Sequence, residues 1–416
     1  MAGAPSFTVF LVGALLSYAF YTFGPAAHRS LTVLGVLRWS PSSTFGLEEV
    51  VVIPDTVNCE DLHYHKQSGM LFTACEDNVE GRFRWFPPLA NFDDPELGRK
   101  SRGSIHVVNP NTMRSERLEF EDFDGPFITH GIDVIPDPER ENDAVYIFAV
   151  NHVADPVLPK ARSQIEVFHH VVGSPSVKHI RSVWHPLIRT PNDIFANSPT
   201  SIYVTNDHWY RDHGIMRALE DLYYHANWTD TVHLRFELEA SSPETAVEGS
   251  VALDNMHNNN GLGHGRSQNE ILVVSCTGGT THIGEIGRDG NITLVDAILA
   301  ESIVDNPTYF DDPFARTSGV DHSGILQPGL SRAIDLAGNT RNPNAADGTM
   351  VWFSKPTRSG WESRLLFEDD GRRIRTASAS VLVAIEPTSG QAHRRQAWLF
   401  VTGFQSKNMI AVKVDL

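Results

Sequence analysis

SIYVTNDH, residues 201–208, is a run of β-branched and aromatic residues that ends on polar side chains. Such a run predicts a short buried strand. The pattern recurs in five further stretches, namely MLFTACED (70–77), VYIFAVNH (145–152), EILVVSCTGG (270–279), MVWFSKP (350–356) and AWLFVTGF (397–404). The intervals of roughly 50 to 80 residues suit blades of four short strands with loop insertions better than a tight solenoid.

The rest of the chain favours one large all-β domain. The best helical pattern is HGIMRALEDLYYHA (213–226), and turns rich in Gly, Pro, Asn and Asp occur throughout. We therefore predict a six-bladed β-propeller with a central channel over residues 31–416, rather than a β-sandwich. The segments 87–103 and 334–349 are rich in Pro, Asn and Asp, so we interpret them as surface loops.

The N-terminus carries an apolar run, residues 7–25, with no charged side chain before Arg29. We interpret residues 1–30 as a signal peptide or a signal anchor, and the missing basic residues ahead of the run favour the anchor. Two sequons, at Asn227 and Asn291, agree with passage through the secretory pathway. We therefore expect a protein anchored in a membrane and facing the lumen or exterior, or a secreted one.

Charge and cysteine content exclude some classes of function. The chain has 34 Lys+Arg against 51 Asp+Glu, a net charge of −17, which disfavours nucleic acid as a partner and favours cations or neutral small molecules. Three cysteines are too few for a disulfide-dense scaffold. Cys59 and Cys75 flank the opening hairpin, where they either form a disulfide or lie buried as small apolar side chains.

Pairs of oxygen donors recur along the chain. They are Glu60-Asp61, Asn192-Asp193, Asp254-Asn255 and Asp305-Asn306. Each pair alone is typical of a turn. Carboxylates mixed with amides are nevertheless the ligands that Ca²⁺ prefers, and one pair from each of several blades could converge on the central channel.

The chain also resembles a known family through motifs that occur in order. They are NCEDL (58–62), THGIDV (129–134), VYIFAVNH (145–152), PNDIF (191–195), YVTNDHWY (203–210), ALDNM (252–256) and VDNPT (304–308). They resemble the paraoxonase/arylesterase family of calcium-dependent lactonases, over about residues 40–410. The resemblance implies hydrolysis of a small lactone or aryl ester.

The resemblance further implies two calcium ions and a histidine pair. A catalytic ion would be held by Glu60, Asn192, Asn255, Asp305 and Asn306, with Asn260 as the alternative to Asn255. A structural ion would be held by Asp61, Asp193 and the backbone carbonyl of Ile132. His130 would activate water and His152 would orient it, so that no nucleophilic serine is needed.

Two departures and two alternatives accompany this interpretation. The animal members carry a disulfide to the C-terminal strand, whereas this chain ends in MIAVKVDL without a cysteine, so we expect strand pairing to close the ring. One alternative function is a non-catalytic calcium-stabilised propeller that acts as a binding module. The other is a propeller enzyme similar to strictosidine synthase or regucalcin. The histidine pair favours the hydrolase over the binding module.

Overall fold

Helix α1 (Phe7–Val33) precedes a ring of short strands in the computed structural model, which describes residues 7–39, 42–44, 49–158, 160–212, 214–223, 225–387 and 395–416. Residues 1–6 of the predicted N-terminal segment lie outside this description. Among the described residues, none of the helices combines the length and the apolar character that a membrane crossing requires.

The first half of the ring contains three blades. The chain enters through β1 (Val50–Ile53), which belongs to the last blade. The first blade contains β2 (Leu62–His65), β3 (Met70–Glu76), β6 (Gly103–Asn109) and β7 (Arg114–Arg117). An insertion between β3 and β6 contains α2 (Val79–Arg84), β4 (Trp85–Phe86), β5 (Asn91–Phe92) and α3 (Pro95–Lys100). The second blade contains β8 (Glu119–Glu121), β9 (Thr129–Pro136), β10 (Ala144–Asn151), β11 (Gln164–Val171) and β12 (Ser176–Val183). The third contains β13 (Pro191–Ser198), β14 (Ser201–Asn206), α4 (Ile215–Leu222), β15 (Thr229–Phe236) and β16 (Val247–Met256).

Three further blades complete the ring. The fourth contains β17 (Asn259–His264), β18 (Glu270–Ser275), β19 (Thr280–Ile286) and β20 (Ile292–Leu299). The fifth contains β21 (Thr308–Phe310), α5 (Ala315–Ser318), β22 (Gly324–Leu330), α6 (Ala333–Asn339), β23 (Thr349–Thr357) and β24 (Gly360–Asp369), and the sixth β25 (Ala377–Ala384), β26 (Gln396–Gly403) and β27 (Met409–Asp415). The predicted six-bladed β-propeller is confirmed.

The ring closes by strand pairing. Strand β1 pairs antiparallel with β27, from Val50 opposite Val412 to Ile53 opposite Met409, so the start of the chain supplies the outer strand of the last blade. The inner strands β2, β9, β13, β17, β21 and β25 contact one another in sequence around the axis. This closure confirms the prediction, and it leaves β27 paired on both sides, with β26 and with β1.

The second strand of each blade is buried on both faces because a blade packs between two neighbours. In β18, for example, every residue from Glu270 to Ser275 is buried. Side chains from adjacent blades interdigitate, as where Phe353 and Phe367 of the fifth blade pack with Leu399 of the sixth. The near-continuous apolar runs of the sequence are therefore blade cores.

Three sequence-based expectations are refined by the structure. Cys59 and Cys75 form a disulfide, while Cys276 is a buried free thiol. The predicted amphipathic helix is present as α4, although it is shorter than the pattern. The segments 87–103 and 334–349 are not plain surface loops, because they contain α3 and most of α6; in α3, Asp94 caps the helix by accepting from the Leu97 amide at 3.0 Å.

Candidate functional site

The first residues of the inner strands, and the residues just before them, bring acids and amides together at the centre of the propeller. Each of these residues lies at or just before the first residues of an inner strand, so the ring of strands brings together positions that are far apart in sequence. The buried members are Glu60, Asp61, Asn192, Asp193, Asn260, Asp305 and Asn306. Seven buried acids and amides form a polar cluster that apolar packing cannot explain.

Several oxygens of this cluster lack a hydrogen-bond partner among the described residues. They are Glu60 Oε2, Asn192 Oδ1, Asn260 Oδ1 and Asn306 Oδ1. Buried polar atoms are nearly always paired, because an unpaired one costs about 1–3 kcal/mol. Four unpaired oxygens on four different inner strands or the loops before them are a donor set suited to a hard cation.

The carboxylates of the cluster repel one another. Burial, followed by the charges of Asp305 and Asp61, raises the pKa of Glu60 well above its usual range. Burial together with Asp61 likewise raises the pKa of Asp193 and of Asp305. These shifts mark a site that needs positive charge to keep its acids ionised.

Asn255 does not belong to this cluster. Its side chain is exposed, its backbone has φ +57°, and its amide nitrogen donates to Asp254 Oδ1 at 2.8 Å at the end of the outer strand β16. Asn260 lies instead on the inner strand β17, buried and facing the cavity described below. The structure does not bring the predicted ligand Asn255 to the cluster, and the alternative Asn260 takes its place in the candidate site.

Asp61 and Asp193 form a deeper pair of carboxylates. Asp61 Oδ1 accepts from the Leu62 amide at 2.7 Å and Oδ2 from the Ile132 amide at 3.0 Å. Asp193 accepts from the Leu262 amide at 2.6 Å through Oδ2. Backbone amides on neighbouring strands thus hold both acids in place, and one of these amides belongs to Ile132, whose carbonyl is a predicted calcium ligand.

Two histidines, His63 and His264, continue the polar network from the deeper pair of carboxylates through Asp133. His63 Nε2 lies 3.2 Å from Asp61 Oδ2, and its Nδ1 lies 3.3 Å from Asp133 Oδ1. His264 Nε2 lies 2.8 Å from Asp133 Oδ2. Burial lowers the pKa of His63, but the charges of Asp61 and Asp133 outweigh it and raise the pKa to about 9.

Two glycines allow the inner strands to approach so closely. A Cβ atom on Gly131 would lie 2.3 Å from Asp193 Oδ1, and one on Gly261 would lie 2.6 Å from the Asn306 Cα. Any larger residue would push apart the strands that bring the acids and amides together. The close approach of the inner strands therefore explains the glycines in the sequence stretches HGI (130–132) and NNG (259–261).

His130 and His152 form the predicted pair. His130 Nδ1 lies 3.2 Å from His152 Nε2, and His152 Nδ1 lies 2.8 Å from Ser163 Oγ. His130 Nε2 is 4.0 Å from Glu60 Oε1, so the pair borders the acid and amide cluster. Burial lowers the pKa of His130 to about 3 and lowers that of His152 well below its usual value.

Sequence reasoning missed the apolar and cationic support of this pair. The Phe86 ring meets His130 and His152 edge to face, with centroids 5.1 and 5.9 Å apart. The guanidinium of Arg82, which is fully buried, lies 4.0 Å above the same ring. Both residues come from the insertion between β3 and β6, and no motif in the sequence pointed to them.

Asp207 and His208 belong to the YVTNDHWY motif, although the sequence predicted no role for either of them. Both are buried, with Asp207 Oδ1 3.0 Å from His208 Nδ1. Asp207 Oδ2 accepts from Asn192 Nδ2 at 3.4 Å, which ties this pair to the predicted calcium ligands. Despite burial, the charge of His208 lowers the pKa of Asp207 to about 2.

A cavity of about 510 Å³ opens over the cluster. Its polar floor includes His130, Asn192, Asn260 and Asp305. Its walls are largely apolar, and they include Leu34, Phe86, Leu89, Ile303, Leu330, Ile334 and Phe404. A pocket with a small polar end and an apolar body has the usual form of a small-molecule site.

The family model described as Arylesterase matches residues 99–313, just over half of the chain. The chain belongs to the arylesterase family. This confirms the resemblance inferred from the motifs. The matched region carries His130, His152, Asn192, Asp193, Asn260 and Asp305, whereas Glu60 and Asp61 lie before it.

Individual arylesterase relatives are distant. A chicken (Gallus gallus) serum paraoxonase/arylesterase 2 is 28% identical over 208 residues, 49% of this chain and 53% of the relative. A rabbit (Oryctolagus cuniculus) serum paraoxonase/lactonase 3 is 24% identical over 225 residues, 53% of this chain and 56% of the relative. The chain thus spans about half the length of the curated relatives it matches. A solved luciferin-regenerating enzyme has a TM-score of 0.45 and 10% identity, covering 88% of this chain and 93% of that one.

Proposed function

We propose that the protein hydrolyses lactones and aryl esters in a calcium-dependent reaction. The observation that carries this proposal is that His130 lines a single cavity together with Asn192 and Asn260, two residues of the acid and amide cluster whose buried oxygens are unpaired. Relatives named arylesterase and lactonase support the reaction class. The substrate would be a neutral small molecule, because the cavity walls are apolar and the floor is acidic.

The donor set fits calcium. Glu60, Asn192, Asn260, Asp305 and Asn306 would hold the catalytic ion, and Asp61, Asp193 and the Ile132 carbonyl would hold the structural one. Among the described residues no three His, Cys, Asp or Glu side chains are gathered as a metal site, as expected when each set has two carboxylates and the remaining ligands are amides or a carbonyl. When bound, calcium polarises an ester carbonyl and stabilises the negative charge that develops on its oxygen.

His130 is the proposed base. For its Nε2 to accept a proton, its Nδ1 must carry one and donate to His152 Nε2, and His152 Nδ1 must donate to Ser163 Oγ. The hydrogen-bond chain can adopt this set of tautomers throughout. His152 is therefore a positioning residue for His130.

The reaction balances with water alone. Water adds its oxygen to the carbonyl carbon while one of its protons passes to His130 Nε2, the bond from the carbonyl carbon to the leaving oxygen breaks, and His130 returns the proton to that oxygen. Because burial lowers the pKa of His130 to about 3, its imidazole is neutral at physiological pH. It can therefore act as the acceptor in the first step.

We also propose a location in the secretory pathway. Asn227 and Asn291, the two sequon residues, are exposed, and the Cys59–Cys75 disulfide suits an oxidising compartment. Membrane attachment through residues 7–25, or secretion, remains part of the proposal.

One assay tests the proposed hydrolysis. We expect the purified full chain to hydrolyse γ- and δ-lactones and phenyl acetate, to lose the activity in excess EGTA, and to regain it when calcium is restored. A matched sample dialysed with Mg²⁺ alone controls for general divalent effects, because Mg²⁺ demands a smaller octahedral site. A folded chain that binds calcium but turns over no ester or lactone would support the binding-module alternative instead.

A further inference from the structure

The last turn of helix α1 and the residues that follow it, together residues 29–38, reach the cavity described above. Leu34 lines the cavity, and Val33 is fully buried. Val33 packs in the apolar cluster that contains Phe86, Ile303 and Phe404. Residues 29–38 therefore place Leu34 in the cavity wall.

Hydrogen bonds hold this segment against the fourth blade. The Arg29 guanidinium donates to the carbonyls of Ala300 at 2.7 Å, Gly278 at 2.8 Å and Gly279 at 2.9 Å. The Ile303 amide donates to the Val33 carbonyl at 3.1 Å. A guanidinium that donates to three carbonyls fixes the segment against the blade, and a loosely placed segment would not make such a set of hydrogen bonds.

A second set of contacts holds the segment against the fifth blade. The Ile334 amide donates to the Leu34 carbonyl at 3.1 Å, and Arg332 donates to the Gly35 carbonyl at 3.0 Å. Gly35 has φ +73°, and a Cβ atom there would lie 2.4 Å from the Ser331 carbonyl oxygen. Only glycine fits this turn, so the close approach of the segment to residues 331–334 is encoded in the sequence.

Leu34 lines the same cavity as the polar floor, which suggests what Leu34 contacts. It faces a cavity whose other apolar lining includes Leu330, Ile334 and Phe404, while His130 and Asp305 lie at the floor. A substrate with its carbonyl at the floor would extend its apolar part between these walls. Leu34 would then cover the end of that apolar part and exclude water from it.

We propose that residues 29–38 hold Leu34 in the wall of the substrate site and that Leu34 is a specificity-determining residue for the apolar chain of the substrate. This inference rests on the proposed function, in that it assumes a ligand carbonyl at the polar floor. It predicts that selectivity for chain length depends on the N-terminal segment.

Binding of γ-lactams, neutral analogues that resist hydrolysis, tests this assignment without relying on turnover. With the full chain in calcium buffer, calorimetry should show that a hexyl substituent tightens the dissociation constant, by up to about fourfold for each CH₂ group that is buried. Leu34→Ala should weaken the hexyl lactam three- to tenfold and leave the unsubstituted lactam within twofold. Equal affinity of Leu34→Ala and the parent for the hexyl lactam would overturn the proposal.

Leu37→Ala is the matched control, because Leu37 lies in the same segment but is 54% exposed and does not line the cavity. It should bind both lactams as the parent does. A hexyl-specific loss in Leu37→Ala equal to that in Leu34→Ala would assign the effect to the segment's general stability and overturn the role of Leu34.

A second measurement uses the parent protein, in case Leu34→Ala fails to fold. A γ-lactam that carries a diazirine at the end of its alkyl chain should, on illumination, label a peptide containing residues 29–38. Labelling confined to other parts of the chain would overturn the proposal. If the label falls on residues 29–38 while no ester or lactone is hydrolysed, the wall assignment stands and the proposed hydrolysis fails.

Discussion

Glu60 and Asp61 are adjacent in the chain but belong to separate hydrogen-bond networks. Glu60 Oε1 accepts from Asn306 Nδ2 at 3.1 Å, beside His130, whereas Asp61 Oδ2 accepts from the Ile132 amide and contacts His63. Successive side chains of an extended segment point to opposite sides. The pair at the start of β2 can therefore contribute to two different levels of the channel.

Two variants test whether Asn260, rather than Asn255, is the calcium ligand. Because Asn260 Oδ1 is buried and unpaired while Asn255 is exposed, we expect Asn260→Ala to weaken calcium binding at least tenfold and Asn255→Ala to leave it within twofold. Calorimetric titration of the calcium-depleted protein measures both. The opposite ranking of the two variants would restore Asn255 as the ligand.

Replacement of His130 tests the proposed base. Gln keeps a polar side chain of similar reach but has no basic nitrogen, so His130→Gln should retain calcium and lose about 10²- to 10⁴-fold in kcat. His152→Gln should lose less, since His152 contacts His130 rather than the cavity. His282→Gln, on the fourth blade, serves as the control and should hydrolyse at the parent rate. Hydrolysis by His130→Gln within a few-fold of the parent would remove the base from the mechanism.

Single elements of this fold supply both chemistry and packing. Strand β13 begins with Asn192 and Asp193 at the channel and continues with Ile194 and Phe195, which are buried between blades. The insertion from α2 to α3 does the same for the histidine pair, because it carries Phe86 on the short strand β4. Errors in the packing of such an element would therefore also displace site residues.

Ring closure by β1 is testable at the element scale. Ile53 is fully buried in the core beside Met409, whereas its neighbour Val52 is 52% exposed on the same strand. Ile53→Ala should lower the free energy of unfolding by about 2–5 kcal/mol, and Val52→Ala by about 0.5 kcal/mol or less. Urea denaturation followed by fluorescence compares the two. Similar small losses in both would mean that β1 contributes little to closure.

The whole molecule keeps several histidines neutral by burying them, which makes its stability sensitive to acid. Burial lowers the pKa of His106 to about 4 and that of His257 to about 4. An unfolded chain takes up these protons near pH 6.5, so between pH 6.5 and pH 4 the unfolded state binds more protons. The contribution of these buried neutral histidines to the free energy of unfolding is therefore complete above pH 6.5 and is lost as the pH falls through this window.

We therefore expect the free energy of unfolding, measured in urea with saturating calcium, to fall from pH 7 to pH 4.5. His106→Gln should reduce the size of this fall, because it removes one of the protons that unfolding takes up. His28→Gln, at an exposed position on α1, should leave the fall unchanged. An identical pH dependence in His106→Gln and the parent would contradict the role of His106 burial.

Much of the fold and part of the site could be predicted from the chain alone. Repeated runs such as SIYVTNDH are local patterns, and apolar strands that end on polar residues lead to blades around a channel whatever their exact packing. Asn192 and Asp193 were singled out as a pair of oxygen donors, whereas His130 was assigned a role only through the family resemblance of THGIDV. The missing C-terminal cysteine also led correctly to closure by strand pairing.

Other features were decided only by the tertiary structure. Asn255 and Asn260 lie five residues apart in one Asn-rich stretch, and which of them faces the channel depends on where β16 ends and β17 begins. Phe86, Arg82 and Leu34 reach the site through contacts with residues distant in sequence, which local periodicity does not encode. The types of chemistry follow from residues near one another in the chain, whereas the side chains that enclose them follow from how the ring closes in space.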